Sequence, residues 1–196
     1  MIKRLFDIVI SFLALVILLP FFIIISIWVL LDSSGGIFYR QRRVGKNNRE
    51  FPLLKFRSMH PGADKKGLLT VGGRDPRITK AGYYLRKIKL DELPQLLNIL
   101  AGNMSIVGPR PEVRKYVDLY TLEQLKVLDI RPGLTDYASL AYINESEMLA
   151  NSEDPEQTYI ATIMPAKLEL NLKYISERSL VKDIRIIFKT LKSIFH

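Results

Sequence analysis

The chain has 196 residues, 48% hydrophobic and 25% charged, with 29 Lys and Arg against 20 Asp and Glu for a net charge of +9. That length suits one domain with a real core and argues against a multidomain machine, while so much apolar and charged material together implies segregation and a lipid-facing segment. With no cysteine, disulfides, thiolate metal sites and cysteine nucleophiles are excluded; only His60 and His196 offer imidazole, and the positive surface suits nucleic acid, anionic lipid or phosphorylated substrates.

The first element decides among those partners. From Ile8 to Leu31 the chain is apolar except for Ser11, Pro20 and Ser26, and roughly 24 helical residues reach about 36 Å, enough to cross a bilayer. The run is too long for a signal-peptide core and no small-residue cleavage site follows, so it is expected to stay in the mature protein. Lys3 and Arg4 precede it, and Arg40, Arg42, Arg43 and Lys46 follow it. Positive residues favour the cytoplasmic side, so both ends read as cytoplasmic. A helix meets that demand by entering one leaflet and turning back, and Pro20, near the middle, removes a backbone hydrogen bond where the turn is needed. The expectation is a re-entrant membrane helix broken at Pro20. A single span with its amino terminus outside is the alternative, and the flanks alone leave the two level.

Next come two extended runs, Ile37 to Arg42 and Phe51 to Met59, around the turn-forming Gly45 to Asn48, which predicts a β-hairpin. His60 to Arg77 lacks periodicity and reads as a long, functional loop. Gly72 and Gly73 before Arg74 lack the signature of a P-loop, and His60 has no neighbours to share a metal. A helix is expected from Asp91 through Leu93, Leu96, Leu97 and Leu100, with Asp91 near its N-cap, Pro94 in the first turn and Gly102 as its stop. Gly108, Pro109, Arg110 and Pro111 make a rigid turn before a second helix, Glu112 to Leu128, ended by Arg131, Pro132 and Gly133. Near the end, Ile184, Ile187, Phe188 and Leu191 recur at helical spacing among Lys182, Arg185, Lys189 and Lys192. That pattern fits either an interfacial helix or a terminal helix packed on the core. The fold class expected is therefore α+β and mainly helical: residues 1–36 as the membrane helix, and 37–196 as a cytoplasmic catalytic domain with interfacial helices.

The chemistry concentrates at Asp91 and Glu92. Adjacent carboxylates at a helix start often do no more than cap it. Here Arg86, Lys87 and Lys89 precede the pair and Arg110 follows, so a phosphate could dock on the helix tip beside Asp91. A carboxylate that attacks a diphosphate needs its own charge and that of the leaving group neutralised. Asp91 and Glu92 with substrate phosphates and waters would suit Mg²⁺ rather than Zn²⁺. The basic run Arg40, Arg42, Arg43 and Lys46 beside an apolar helix is better matched to anionic lipid head groups than to nucleic acid, for which no motif appears.

The ordered blocks resemble the monotopic phosphoglycosyl transferases, or bacterial sugar transferases, which initiate bacterial glycoconjugate assembly. The blocks are Arg40, Gln41, Arg43, Val44 and Gly45; Lys55 to Met59; Asp75 to Thr79; Leu90 to Gln95; Gly102, Met104 and Ser105; Gly108 to Pro111; and Arg131 to Gly133. The resemblance implies a monotopic enzyme of the cytoplasmic face of the bacterial inner membrane. In it Asp91 attacks the sugar-proximal phosphate of a UDP-sugar, UMP leaves, and polyprenyl phosphate takes the phosphosugar from the resulting aspartyl intermediate. It also implies a catalytic part for Glu92 beside Asp91, in metal or proton handling, with the two as candidate Mg²⁺ ligands, and puts forward Lys55, Arg57, Arg86, Arg110 and Arg131 as substrate-binding cations. This chain departs from the common pattern at Leu19, Ile88, Lys89, Asn103 and Asp136, the last standing where many relatives have Gly. Residues 138–177 match weakly and are expected to carry specificity, with Tyr137, Tyr142 and Asn144 as candidate contacts, a purely structural role being the alternative for each. A non-enzymatic basic membrane scaffold and a membrane phosphohydrolase remain the competing functions, and the sugar, the glycan pathway and the oligomeric state stay open.

Overall fold

The computed structural model describes residues 2–72 and 75–194. Gly73, Arg74 and His196, singled out above, lie outside the described residues.

Helix α1 (Ile2–Asp32) is the long apolar element. At about 1.5 Å per residue it is roughly 46 Å long, and by length and composition it could cross a membrane. Its buried residues are Asp7, Ser11, Phe22, Ile25 and Val29, and Phe6, Ala14, Leu15 and Leu18 are partly covered between them. That spacing traces one stripe down the helix, which packs on the rest of the chain, while side chains such as Ile17 (70% exposed) and Leu31 (82%) face outward. Both ends are tied to the same body. Lys3 pairs with buried Asp183 at 2.5 Å, and Arg4 donates to the carbonyls of Ile99 and Leu100 at 2.6 and 3.0 Å. At the far end Asp32 accepts from the Ala81 amide at 3.0 Å, and Arg57 donates to the carbonyls of Val29 and Ser33 at 2.9 and 2.6 Å. The expected break at Pro20 is absent: the residues on both sides stay helical. A proline removes one hydrogen bond, and contacts from Leu18 and Phe22 to the body hold the flanking turns.

The hairpin forms as expected, with shifted ends. Strands β1 (Phe38–Val44) and β2 (Glu50–Phe56) pair antiparallel, placing Tyr39 opposite Lys55 and Arg43 opposite Phe51. Asn47 and Asn48 adopt φ of 56° and 61° in the connecting turn, a conformation asparagine tolerates. Phe51 and Leu53 turn inward onto α3 (Gln95–Leu100). There the Asn98 side chain pairs with the free edge of β2, accepting from the Leu54 amide at 2.9 Å and donating to the Pro52 carbonyl at 2.8 Å.

Beyond α3, β3 (Ser105–Val107) and β4 (Gly133–Thr135) form a short parallel pair. Gly108 and Gly133 let the two backbones touch: a Cβ on Gly133 would lie 2.1 Å from the Gly108 nitrogen and 2.3 Å from its oxygen. Backbone cannot yield as a flexible side chain can. Gly133→Ala is therefore expected to destabilise the fold by about 3 kcal/mol or more, measured as the shift in denaturation midpoint.

The single helix expected from Glu112 to Leu128 is replaced by a one-turn α4 (Arg114–Val117) and a 3₁₀ segment, Gln124–Asp129. The cause is local: Thr121 and Gln124 cap each other, the Thr121 amide donating to Gln124 Oε1 at 2.9 Å and the Gln124 amide to Thr121 Oγ1 at 3.3 Å. This reciprocal box starts a new helical segment where a continuous one was expected. Helices α5 (Tyr137–Ala141), α6 (Glu145–Ala150) and α7 (Pro155–Thr158) follow, and a π-turn at Tyr159–Ile163 leads into α8 (Met164–Glu177). On α9 (Leu180–Ile194), Asp183 and Ile186 are buried and Ile187 is partly covered, whereas Val181, Ile184, Phe188 and Leu191 are exposed. The packed-helix alternative accounts for only one side of α9.

Candidate active site around Asp91 and Glu92

Helix α2 (Lys80–Lys87) begins at Thr79, whose hydroxyl oxygen accepts from the Gly82 amide at 3.0 Å. It ends through a left-handed residue, Lys89 (φ 59°), and a 3₁₀ turn, Leu90–Glu92, that runs into α3. Asp91 is thus not the N-cap expected from sequence; it sits inside the 3₁₀ turn, and α3 starts at Pro94 with no side-chain cap. The amides of Glu92, Leu93, Leu96 and Leu97 already bond to carbonyls behind them. The positive character of the site therefore comes from side chains more than from a free helix tip.

Those side chains arrive from separate elements. Lys55, from β2, donates to Glu92 Oε1 at 3.0 Å. Arg110, from the Pro-Arg-Pro turn, forks onto both oxygens of Glu92, with Nη1 3.1 Å from Oε2 and Nη2 on Oε1. Glu92 is 9% exposed and Asp91 3%. Burial pushes the Glu92 carboxyl up, but Arg110 and Lys55 outweigh it and hold the group well below the usual carboxylate range. Arg110 is in turn held protonated by Glu92. Burial lowers the Lys55 ammonium pKa despite the attraction of Glu92.

Asp91 is treated differently from its neighbour. It takes part in no ion pair among the described residues, whereas Lys55 and Arg110 both pair with Glu92. Burial raises its pKa, with Lys55 opposing and the Glu92 charge adding to the rise. One carboxylate is thus locked by two cations, and the adjacent one is buried, nearly unpaired and more basic than an ordinary aspartate. A carboxylate in that state is chemically able to form a new bond.

Of the five cations put forward, Lys55 and Arg110 meet at Glu92. Arg86 is near enough to favour the charged form of Asp91, and donates to Thr70 Oγ1 at 2.8 Å in the 60–77 loop. Arg57 and Arg131 are employed elsewhere. Arg57 is buried against the end of α1, and Arg131 Nε donates to the Gly102 carbonyl at 2.8 Å, closing the turn after α3. Arg43, grouped above with head-group contacts, points inward to Gln41, to the Pro111 carbonyl at 3.1 Å and to Glu112 at 2.8 Å, leaving Arg40 and Arg42 exposed. His60 is exposed in the loop, which Arg77 organises by bonding Asp75 and the carbonyls of Gly67 and Leu69. Tyr137 is partly buried, edge-on to Tyr174 at 6.3 Å.

The donor set bears on Mg²⁺. No group of three His, Cys, Asp or Glu residues placed to hold a metal exists among the described residues, and both Glu92 oxygens are taken by Lys55 and Arg110. Asp91 is left as the available carboxylate, which fits a Mg²⁺ ion held largely by substrate phosphates and water.

Fold and site together define a class: a mainly helical protein with one long apolar helix and a buried carboxylate pair in a cationic cluster suited to phosphate chemistry. The chain belongs to the bacterial sugar transferase family, whose model matches residues 1–196. It is 35% identical over 196 residues to the UDP-N-acetylgalactosamine-undecaprenyl-phosphate N-acetylgalactosaminephosphotransferase of Aeromonas hydrophila, covering 98% of this chain and 43% of that protein. It is 34% identical over 209 residues to the exopolysaccharide production protein ExoY of Rhizobium meliloti (strain 1021), covering 99% of this chain and 85% of that one. The UDP-glucose:undecaprenyl-phosphate glucose-1-phosphate transferase of Escherichia coli (strain K12) is 35% identical over 199 residues, covering 97% of this chain and 39% of its own length. The chain thus spans less than half of two of these relatives and most of the third.

Proposed function

We propose that this protein moves a sugar 1-phosphate from a UDP-sugar to polyprenyl phosphate at the cytoplasmic face of the bacterial inner membrane, as a first membrane step of glycan assembly. The observation that carries this reading is the division of labour between Asp91 and Glu92. In the first half-reaction an Asp91 carboxylate oxygen attacks the sugar-proximal phosphorus; the bond to the UMP oxygen breaks, and UMP departs with its electron pair. In the second, a polyprenyl phosphate oxygen attacks the same phosphorus, the bond to Asp91 breaks, and the carboxylate is restored. Lys55 and Arg110, kept charged or close by Glu92, lie where they can share their donors with the transferring phosphoryl group, and Arg86 approaches from the Asp91 side. A Mg²⁺ ion bound by the diphosphate and Asp91 would neutralise charge on the leaving group.

A monotopic placement is supported by the anchoring of α1 at both ends. Lys3 on Asp183 and Asp32 on the Ala81 amide bind the two ends to one body, an arrangement that suits both termini lying on one side of a bilayer. The outward apolar side chains of α9, flanked by Lys182, Arg185, Lys189 and Lys192, suit contact with anionic lipid in the interface plane.

Purified full-length protein mixed with a panel of UDP-sugars, Mg²⁺ and polyprenyl phosphate is expected to release UMP and yield a polyprenyl diphosphate sugar. No UMP from any UDP-sugar counts against transfer. Free sugar phosphate in place of the lipid product would identify water as acceptor, and hence a phosphohydrolase.

A further inference from the structure

Asp136 is fully buried at the end of β4, where the family pattern gave no reason to expect an acid. Its Oδ1 accepts from the Ser139 amide at 2.6 Å and caps α5. Its Oδ2 accepts from the Arg110 amide at 3.1 Å. Pro109 and Pro111 have no N–H, so the Arg110 amide is the only backbone donor between Gly108 and Glu112. The neighbours of Arg110 are pinned as well: the Gly108 amide donates to the Thr135 carbonyl at 3.1 Å, the Gly133 amide to the Pro109 carbonyl at 2.9 Å, and Arg43 to the Pro111 carbonyl. Among the described residues, Asp136 is the one hydrogen-bond partner of the backbone of Arg110, the residue whose guanidinium reaches Glu92.

We propose that Asp136 is a positioning residue for Arg110: one carboxylate oxygen starts α5, and the other fixes the pivot from which the Arg110 guanidinium divides its donors between Glu92 and the transferring phosphoryl group. The proposal rests on the transferase reading above. A guanidinium swinging from a fixed backbone keeps its fork aligned when a phosphate arrives, whereas a loose pivot spreads that alignment over many geometries. The buried charge of Asp136 also adds to that of Glu92 in keeping Arg110 protonated.

A double-mutant cycle separates this role from simple stabilisation. Asp136→Asn keeps one acceptor for the α5 cap but loses the charge and turns an amide toward Arg110. Asp136→Ser keeps a capping oxygen and cannot serve both amides, and it replaces the Asn variant in the cycle should that variant fail to fold. Single-turnover UMP release is measured for wild type, the Asp136 variant, Arg110→Ala and the double variant, with thermal midpoints alongside. Loss of Asp136 is expected to slow release about tenfold when Arg110 is present, and by less than about twofold in the Arg110→Ala background. An equal slowing in both backgrounds overturns the proposal, because it shows Asp136 acting on the fold and not through Arg110. A wild type that releases no UMP would overturn the transferase reading itself. The cycle is then read on the thermal midpoints, where coupling between positions 136 and 110 upholds the pivot and additivity rejects it.

Discussion

Asp91→Asn is expected to cut UMP release by at least about a thousandfold, and to abolish the sugar-phosphate adduct that the proposed mechanism predicts in intact-protein mass spectra of the wild type, while the variant melts at a higher temperature than the wild type. The two effects share one cause. Burial raises the Asp91 pKa, so at neutral pH the folded protein holds a carboxylate in a place that disfavours its charge. The folded pKa lies above the unfolded one, so this group lowers stability as pH rises between the two values, and the full cost is present above the folded pKa. An isosteric amide escapes that cost. The gain should be about 1 kcal/mol, or roughly 2–4 °C for a chain of this size, and should shrink as the pH falls toward the ordinary aspartate range. On the proposed mechanism the same raised pKa places the acid limb of the wild-type rate profile above that range, because protonation would remove the attacking carboxylate. An Asn variant that still forms the adduct would transfer the role to another residue.

Glu92→Gln should behave in the opposite sense on stability. Glu92 ionises more readily in the folded protein than in the unfolded chain, because Arg110 and Lys55 together outweigh its burial. Its contribution is therefore present above the unfolded pKa and lost as pH falls through the folded one. Removing the charge leaves Lys55 and Arg110 facing an uncharged amide in a mostly enclosed site. Breaking a buried pair from one side costs about 3 kcal/mol, which for this chain is a fall of roughly 10 °C in the thermal midpoint. Activity is expected to drop by more than about a hundredfold as both cations lose their alignment. A melting temperature unchanged within a degree would show that the Glu92 clamp contributes little to the fold.

The contrast between two adjacent carboxylates illustrates what could be read in advance. That Asp91 and Glu92 are the candidates for the chemistry was legible from neighbouring basic residues and the ordered blocks around them. Which of the two is locked and which is spare was not, since that depends on Lys55 and Arg110, separated from Glu92 by 37 and 18 positions. Arg57 and Arg131 look equivalent to Arg110 as basic residues in family blocks, yet one closes on the end of α1 and the other on the turn after α3. Asp136 was visible only as an unusual residue; its bond to the Arg110 amide follows from the parallel pairing of β3 with β4. The Thr121–Gln124 box, by contrast, was a local signal in plain sight, and it interrupts the helix expected across it.

The sequence by itself determined the long apolar helix, the hairpin, the Gly102 stop and the rigid Pro-Arg-Pro turn, and it singled out the acidic pair as the candidate centre. Each is encoded in residues close together in the chain, by hydrophobic run length, turn chemistry or a contiguous motif. Only the tertiary structure decided that α1 stays helical through Pro20 and is tied to one body at both ends, that Glu92 takes the cations and Asp91 does not, and that Asp136 reaches Arg110. These outcomes depend on charges and amides brought together from distant parts of the chain, where burial raises the cost of every unpaired group and so determines which pairs form.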